Sequence, residues 1–203
     1  NKLKRRIVIK DYELAIKNKN SDACWRLACL ISNTNNQLDI DYFKLAAKYN
    51  NSFGHYFLGY MYMFGEGAEK NIYKGLYHLK LSAQKNNKMA LIELGDIYYK
   101  GIDVNSDIKQ AIHYYELASE LNDSDAHIWL GNLYLEGKDV EKNINKAINC
   151  YERAAKLKKS KAFLILAELF SSGEKIDPNI RKAIHYLTLL INQKHLDKNF
   201  YNE

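Results

Sequence analysis

Three serines in this sequence lie three residues before a lysine, a spacing that can place a lysine amine beside a nucleophilic serine. The pairs are Ser82 with Lys85, Ser106 with Lys109, and Ser172 with Lys175. A nucleophile of this kind needs further partners, and the S-D-N and K-T-G triplets that accompany it are absent from the sequence. Because the chain holds 30 lysine and arginine residues, we interpret the matches as chance.

Histidine and cysteine form no catalytic or metal-binding pattern. His113 and His185 are 72 residues apart at one position of the repeat described below, so they are better interpreted as exposed repeat residues than as a catalytic pair. Cys24 and Cys29 are separated by about 140° on a helix, and Cys150 is distant in sequence. No C-x-x-C occurs, and no histidine lies at ligand spacing from the first pair. We expect no catalytic residue, metal or cofactor.

The net charge of +6 is concentrated at the N-terminus. Five basic residues lie within the first ten, which contain no acid: Lys2, Lys4, Arg5, Arg6 and Lys10. Residues 11–203 therefore carry only +1, whereas a nucleic-acid site needs a contiguous basic track. We expect no nucleic-acid partner, and weak binding through the N-terminus is a minor alternative.

The composition is typical of a helical protein, with 47% hydrophobic residues, one proline and ten glycines. No apolar run approaches the length of about 18 residues that a membrane span requires, so we expect a soluble protein. The chain begins with Asn rather than Met. The location stays open between the cytoplasm and the periplasm, the latter after removal of a signal peptide.

A unit of 36 residues recurs along the chain. Its dipeptide appears as Leu58-Gly59, Leu94-Gly95, Leu130-Gly131 and Leu166-Ala167. The same interval relates Tyr62, Tyr98, Tyr134 and Phe170, then Gly65, Gly101, Gly137 and Gly173, then Ala111, Ala147 and Ala183. An earlier copy contains Leu27-Ala28 with its loop shortened by five residues, and residues 12–15 resemble the second helix of a truncated leading repeat.

Each unit holds two predicted helices, called A and B. The A helix of residues 126–136 has apolar residues at helical spacing and ends at Gly137. The B helices follow residues that can cap a first turn, namely Asn71, Asp107, Asn143 and Asn179. Such hairpins bury their apolar faces only by stacking on their neighbours. The predicted fold is all-α, a right-handed α-α superhelix, or solenoid, of about five helix-turn-helix repeats.

Glycines inside the A helices need a reason, because glycine costs roughly 1 kcal/mol relative to alanine there. We expect Gly59, Gly95 and Gly131 to let paired helices approach closely. Their expected partners are the small pairs of the B helices, Ser82-Ala83, Ala118-Ser119 and Ala154-Ala155.

The pattern A-x-x-x-L-G-x-x-Y-x-x-G, a short loop, then K-A-x-x-Y-x-x-A-A resembles the Sel-1-like repeat, a relative of the tetratricopeptide repeat. The match covers residues 23–193, with Ala28 and Ala167 for Gly, Phe170 for Tyr and Gly75 for Ala as departures. This resemblance implies an adaptor or scaffold without catalysis, often bacterial and either cytoplasmic or periplasmic.

We expect residues 1–203 to form one solenoid domain. Its predicted parts are 1–20, the basic N-terminus and partial leading repeat, then repeats at 21–51, 52–87, 88–123, 124–159 and 160–195, and a tail at 196–203.

The face of each A helix that is turned away from its B helix is the predicted partner site, here called the A face. It contains the positions two and five residues before and after the core leucine. Many are large and apolar, where a solvated face would be polar. The residues expected to contact a partner are Trp25, Phe53, Tyr56, Tyr60, Met63, Ile92, Asp96, Tyr99, Asn132 and Leu135. Burial between neighbouring A helices is the alternative for the row at −2, which includes Trp25, Tyr56 and Ile92.

The function predicted from these patterns is a non-catalytic scaffold or adaptor that binds a protein or peptide in a groove lined by the A helices. A bacterial immunity or inhibitor protein is a narrower version. An enzyme, a β-lactam-related hydrolase as in cysteine-rich relatives of this repeat family, is the alternative from another class. The oligomeric state stays open.

Overall fold

The computed structural model describes residues 2–31, 36–137, 140–173 and 176–200. These residues form eleven helices and no strand. The helices are α1 (Lys2–Lys17), α2 (Ser21–Ile31), α3 (Asn36–Lys48), α4 (Ser52–Phe64), α5 (Ile72–Ala83), α6 (Lys88–Lys100), α7 (Ile108–Glu120), α8 (Ser124–Glu136), α9 (Ile144–Lys156), α10 (Ser160–Ser172) and α11 (Ile180–Phe200). The even-numbered helices up to α10 are the A helices, and the odd-numbered helices are the B helices.

The chain divides into two compact units, residues 1–107 and 108–203. In the first unit α2 packs on α3 and α4 on α5, and α1 lies against α2 as the B helix of a leading repeat would. In the second unit α8 packs on α9 and α10 on α11. The division falls between α6 and α7, inside the third predicted repeat, so the single domain of residues 1–203 stays a prediction.

The predicted caps at Asn71, Asn143 and Asn179 and the predicted glycine ends of the A helices α4, α6, α8 and α10 are confirmed. The Oδ1 atoms of Asn71, Asn143 and Asn179 accept from backbone amides three residues later, at 2.9–3.0 Å. The A helices α4, α6, α8 and α10 end at glycines with φ between 64° and 76°. Glycine adopts this left-handed conformation without steric cost.

The turn from each B helix to the next A helix also has a left-handed residue, but it is not glycine. These residues are Lys19, Asn50, Asn86, Asn122 and Lys158, with φ between 56° and 60°. Asparagine tolerates this conformation better than most residues, whereas lysine has no such preference. The turn is therefore set by the packing of the helices on either side.

Each unit has its own hydrophobic core. In the first unit the core joins Ala28 of α2, Phe43 and Ala47 of α3, and Leu58 of α4. In the second unit it joins side chains of α8, α9, α10 and α11, including the fully buried Tyr151. Each hairpin thus contributes to a core that the neighbouring hairpin completes.

Gly59 and Gly131, two of the three glycines expected to let paired helices approach closely, are points of close contact. A Cβ on Gly59 would lie 2.8 Å from the backbone nitrogen of Leu79, and a Cβ on Gly131 would lie 2.5 Å from Cε1 of Tyr151. Leu79 and Tyr151 lie one helical turn before the small pairs Ser82-Ala83 and Ala154-Ala155. The prediction that the small pairs lie against these glycines was therefore wrong. The B helix crosses the A helix one turn earlier than the pattern of small residues indicates.

The small pair Ala46-Ala47 of the B helix α3 faces the next repeat. A Cβ on Gly54 of α4 would lie 2.5 Å from the Cβ of Ala46 and 2.6 Å from the backbone nitrogen of Ala47. Small residues therefore serve two interfaces, one within a hairpin and one between hairpins.

Replacing Gly54 by Ala should destabilise the fold, although alanine is the better helix former. The other repeats have alanine at this position, so the change would be neutral or favourable if packing were equal there. We expect a loss of about 1–3 kcal/mol from overpacking, and a melting temperature lower by about 2–4 °C for each kcal/mol. Thermal unfolding followed by circular dichroism measures the change. An equal or higher melting temperature would show that α3 and α4 are not in close contact.

Candidate functional site

The A face of the first unit is built on α2, α4 and α6, and aromatic rings connect the first two. The Trp25 ring stacks on Phe53, with centroids 4.5 Å apart and an interplanar angle of 21°. It also lies 6.4 Å from Phe57, which stacks on Phe43 at 4.8 Å. Trp25 and Phe53 are both partly exposed. This stack gives the face a rigid aromatic surface.

Polar contacts hold Trp25 in place. Its Nε1 donates to Oδ1 of Asp22 at 3.3 Å, and the same oxygen accepts from Nδ2 of Asn51 at 2.7 Å. The guanidinium carbon of Arg26 lies 4.8 Å from the centroid of the Trp25 ring. Because the side chain is already ordered, little conformational entropy is lost when a partner covers it.

A second aromatic run follows α4 toward its C-terminus. The ring centroids of Tyr56 and Tyr60 are 6.3 Å apart, and those of Tyr60 and Phe64 are 4.6 Å apart. Tyr56 is buried, while Tyr60 and Phe64 are partly exposed. The sequence analysis missed Phe64, although its spacing of four residues from Tyr60 places it on the same side of the helix.

Glu93 of α6 is a half-buried carboxyl group. Burial raises its pKa, the neighbouring Asp96 raises the pKa further, and Lys100 opposes this shift. The Nζ atom of Lys100 lies 2.8 Å from Oδ2 of Asp96. The nearby ammonium group is thus paired directly with Asp96 and compensates the Glu93 charge only in part.

The charge of Glu93 contributes to the raised pKa of two tyrosines of α4, Tyr56 and Tyr60. Burial raises the pKa of Tyr56 to about 12, and Glu93 is the second cause. Burial is also the main reason that the pKa of Tyr60 is raised, followed by Glu66 and then Glu93. The carboxyl group therefore lies close enough to the aromatic run for α4 and α6 to share one surface.

The sequence analysis missed Glu93 because its position, directly before the core leucine, lies at the edge of the A face. Three other repeats have a large apolar residue there, namely Phe57, Trp129 and Ile165. The feature of the sequence that could have identified Glu93 is a carboxyl group at a position that is apolar in these three repeats.

Two predicted site residues, Met63 and Leu135, belong to the core. Met63 is 0% exposed, and a Cβ on Gly75 would lie 2.8 Å from its backbone nitrogen. Leu135 is buried in the core of the second unit together with Ala147, the repeat equivalent of Gly75. Both occupy the position five residues after the core leucine, where the returning B helix covers the end of the A helix. Tyr56 is also buried. Burial was the alternative given above for the positions two residues before the core leucine.

The remaining predicted residues differ in what they contact. Asn132 lies in the second unit, where its Oδ1 accepts from the hydroxyl of the buried Tyr151 at 2.8 Å. It therefore orients a core side chain. Asn132 is itself partly exposed, and the other partly exposed members of the predicted set lie in the first unit, namely Trp25, Phe53, Tyr60, Ile92, Asp96 and Tyr99. Their contact with a partner stays a prediction.

Two side chains that could act as nucleophiles, Ser82 and Cys150, lie in surroundings that disfavour catalysis. Ser82 is buried, and its Oγ donates to the carbonyl oxygen of Ser52 at 2.7 Å, while Lys85 is exposed. Burial raises the pKa of the Cys150 thiol, which disfavours the thiolate that nucleophilic catalysis requires. Lys175, part of the third serine-lysine match, lies outside the described residues.

The described residues contain no group of three or more His, Cys, Asp and Glu side chains placed to hold a metal ion. None of the helices they form combines the length and apolar character needed to cross a membrane.

A histidine pair links α4 to α5 on the side of α4 that faces its B helix. The Nδ1 atoms of His55 and His78 are 3.0 Å apart, so one ring donates and the other accepts. Burial lowers the pKa of both rings, with Lys85 as a further cause for His55. For His78 the pKa falls to about 4, with His55 and then Lys74 adding to burial. The pair is therefore neutral at pH 7.

A cleft of about 320 Å³ opens beside this pair and includes Lys44, Lys48, Tyr62 and Tyr77 in its lining. Both histidines are also among the residues that line this cleft.

Helical A–B hairpins recur in both units, which places the protein in the class of α-helical repeat proteins. The sequence profile of the Sel1 repeat matches residues 52–87, 88–123, 124–159 and 164–195. The chain therefore belongs to the Sel1 repeat family, and the predicted family and all-α repeat fold are confirmed. Repeats of this family typically mediate protein interactions.

Solved structures have a similar fold. A Sel1 repeat protein from Oxalobacter formigenes is 25% identical with a TM-score of 0.77, over 85% of this chain and 73% of that chain. The protective antigen c5321 of uropathogenic Escherichia coli is 22% identical with a TM-score of 0.80, over 91% of this chain and 40% of that chain. The immunity protein PA5088 from Pseudomonas aeruginosa is 21% identical with a TM-score of 0.65, over 92% of this chain and 73% of that chain. No curated protein matches the chain.

The histidine pair should make stability depend on pH below about 6.5. A histidine whose pKa is lower in the folded state binds protons better when unfolded, so its contribution is present above pH 6.5 and is lost as the pH falls toward 4. The variant His55→Phe/His78→Tyr copies Phe163 and Tyr186 of the fifth repeat and should flatten this part of the profile. Urea unfolding between pH 7 and 4 measures the difference, expected at about 1–3 kcal/mol from the lowered pKa of His78. Parallel profiles for variant and wild type would contradict it.

Proposed function

We propose that this chain is a non-catalytic binding scaffold whose A face in the first unit receives a segment of a partner protein. The observation that carries the proposal is an ordered, partly exposed aromatic surface next to a half-buried carboxyl group. Aromatic side chains are enriched at protein interfaces and supply much of the binding energy there. The typical role of Sel1 repeats in protein interaction supports the same function.

The charge of the face indicates the chemistry of the segment. Glu93 is half-buried, and Lys100 is paired with the neighbouring Asp96. A lysine or arginine from the partner would offset the unfavourable desolvation of the Glu93 carboxylate. We therefore propose a segment in which a basic residue lies beside apolar residues that cover Trp25 and Tyr60.

A narrower version of this function is that of an immunity protein, which binds and blocks one toxin. The fold similarity to an immunity protein of Pseudomonas aeruginosa supports this version. A hydrolase has less support, because Ser82 is hydrogen-bonded to backbone and burial raises the pKa of Cys150.

Replacing Tyr60 and Tyr99 together by Ala should weaken binding at least tenfold, about 1.4 kcal/mol. Peptides selected from a displayed random library on the immobilised wild-type chain supply the probe, and fluorescence anisotropy measures the affinity of one selected peptide. The matched control is Tyr73→Ala/Tyr77→Ala, which removes two exposed tyrosines from the B helix α5 and should leave the affinity unchanged. If both double variants bind like the wild type while remaining folded, the A face is not the site.

Replacing Glu93 by Gln should weaken binding of peptides with a basic residue and raise the melting temperature at pH 7. Because the pKa of Glu93 is raised in the folded state, its favourable contribution is present below pH 4.5 and is lost as the pH rises through the raised pKa. The gain in stability should therefore disappear at about pH 4, where the wild-type carboxyl group is protonated. Melting curves at both pH values and peptide anisotropy test the two effects. A variant that is less stable at pH 7 would assign Glu93 a structural role.

A further inference from the structure

The cleft beside the histidine pair lies between α3, α4 and α5 of the first unit, and its described lining residues are separate from the predicted A-face set. No carboxyl group is among the described residues that line it. It is called the basic cleft below, and its polar lining residues are Lys44, Lys48, His55, Tyr62, Tyr77 and His78.

Two clefts of the second unit occupy the same place in their repeats. One lies between α7, α8 and α9, and the other between α9, α10 and α11. The residues 72 and 108 positions after Lys44 are Glu116 and Glu152, and each lines one of these clefts. In the second unit the chain itself thus supplies a carboxylate to each cleft, whereas in the first unit the same position carries the opposite charge.

The contact of Glu152 shows where a carboxylate binds in such a cleft. Its Oε1 accepts from the hydroxyl of Tyr186 at 2.8 Å. Tyr186 is the repeat equivalent of His78. A carboxylate oxygen beside the residue at the His78 position is therefore compatible with the packing of the three helices.

The histidine pair offers a donor to an oxygen of this kind. One ring donates its Nδ1 proton to Nδ1 of the other at 3.0 Å, so the accepting ring carries its own proton at Nε2. Within the part of the chain that the structure describes, no group accepts a hydrogen bond from this second N–H. A ligand carboxylate can accept it, as Glu152 accepts from Tyr186.

The lysines of α3 favour an anion over a metal cation in the basic cleft. Asp41 offsets part of their charge, because its Oδ1 lies 3.2 Å from Nζ of Lys44. The side chains of this pair are 60% and 48% exposed, and exposed pairs of this kind are screened by water and contribute little. Lys48 adds a second positive charge to the lining, so a carboxylate is attracted there.

We propose that the basic cleft binds a carboxylate group, which contacts the histidine pair and the lysines of α3. Its volume of about 320 Å³ is at the lower end of the range of about 300–1,000 Å³ for ligand sites, so the ligand is small. A free dicarboxylate and an acidic side chain of a partner protein share this chemistry.

Binding of the carboxylate should be coupled to proton uptake. Burial lowers the pKa of both histidines, and Lys85 lowers that of His55 further. His55 and then Lys74 add to the effect of burial on the pKa of His78. A bound carboxylate opposes these causes, so that one ring gains a proton on binding. The affinity should therefore rise as the pH falls from about 7.5 to about 6.

Proton–nitrogen correlation spectra of the histidine rings in the full chain test the proposal. Glutarate, added to about 10 mM at an ionic strength of about 0.15 M, should shift the resonances of His55 and His78 along a saturable curve. The affinity should be roughly threefold higher at the lower pH. The absence of a saturable shift at either pH overturns the proposal.

Two further probes identify the source of the carboxylate. A Gly-Glu-Gly peptide with both ends blocked presents the same group on a protein backbone. Saturable binding of this peptide at least as tight as that of glutarate assigns the cleft to an acidic side chain of a partner, and weaker binding assigns it to a free dicarboxylate. Inorganic phosphate that binds roughly tenfold more tightly than either overturns the assignment to a carboxylate.

The variant Lys44→Glu gives the first unit the glutamate that the second unit has. Because the replaced side chain is about half exposed, the fold should tolerate the change. The new carboxylate should occupy the cleft, so the affinity for glutarate should fall roughly tenfold or more. The pKa of His78, measured from the same resonances, should rise above its wild-type value.

The matched control Lys109→Glu makes the same charge change at an exposed position of α7 and should alter neither quantity. Glutarate binding that survives Lys44→Glu, or that falls equally in both variants, overturns the proposal. Should Lys44→Glu fail to fold, Lys48→Gln is the substitute and should weaken glutarate binding. An unchanged affinity of that variant would count against the basic cleft.

Discussion

Backbone contact at small residues determines which side chains of the chain can face outward. At Gly59 the helix α4 approaches α5, and at Gly54 the same helix meets the preceding hairpin at Ala46. An A helix held on two sides at such short range has limited freedom to rotate, so its exposed positions follow from its packing. The partly exposed Phe53 and Tyr60 of α4 are therefore presented by a rigid support. This is the arrangement that binding with little loss of entropy requires.

Much of the fold can be predicted from the sequence because one pattern is repeated, and each repetition tests the same helix ends and the same small residues. The register between the A and B helices could not be predicted in this way. A period relates equivalent residues in different repeats but does not say which residues of a hairpin touch. For that reason Leu79 and Tyr151, rather than the small pairs, were found against the glycines. Met63 and Leu135 were wrongly predicted to lie on the exposed A face. Their angular position on the A helix does not show where the following B helix packs against that helix.

The departures from the repeat are more informative about function than the repeat itself. Glu93 stands where three of the other four repeats have an apolar residue, Phe57, Trp129 or Ile165, and its burial is unfavourable for the carboxylate. His55 and His78 form a polar contact across a hairpin where the fifth repeat has only aromatic residues. Such residues add little to stability, so their presence is better explained by a role outside the core.

The left-handed turns between repeats have a consequence for the stability of the whole array. Lys19 and Lys158 adopt φ near 60° without the tolerance that asparagine or glycine would bring, at a cost of about 1–2 kcal/mol each. Neither lies on the A face. Substitution of these two turn residues could therefore increase the stability of the fold without altering the A face. A protein whose binding surface accumulates destabilising changes can draw on this gain, and recognition and folding can then change independently.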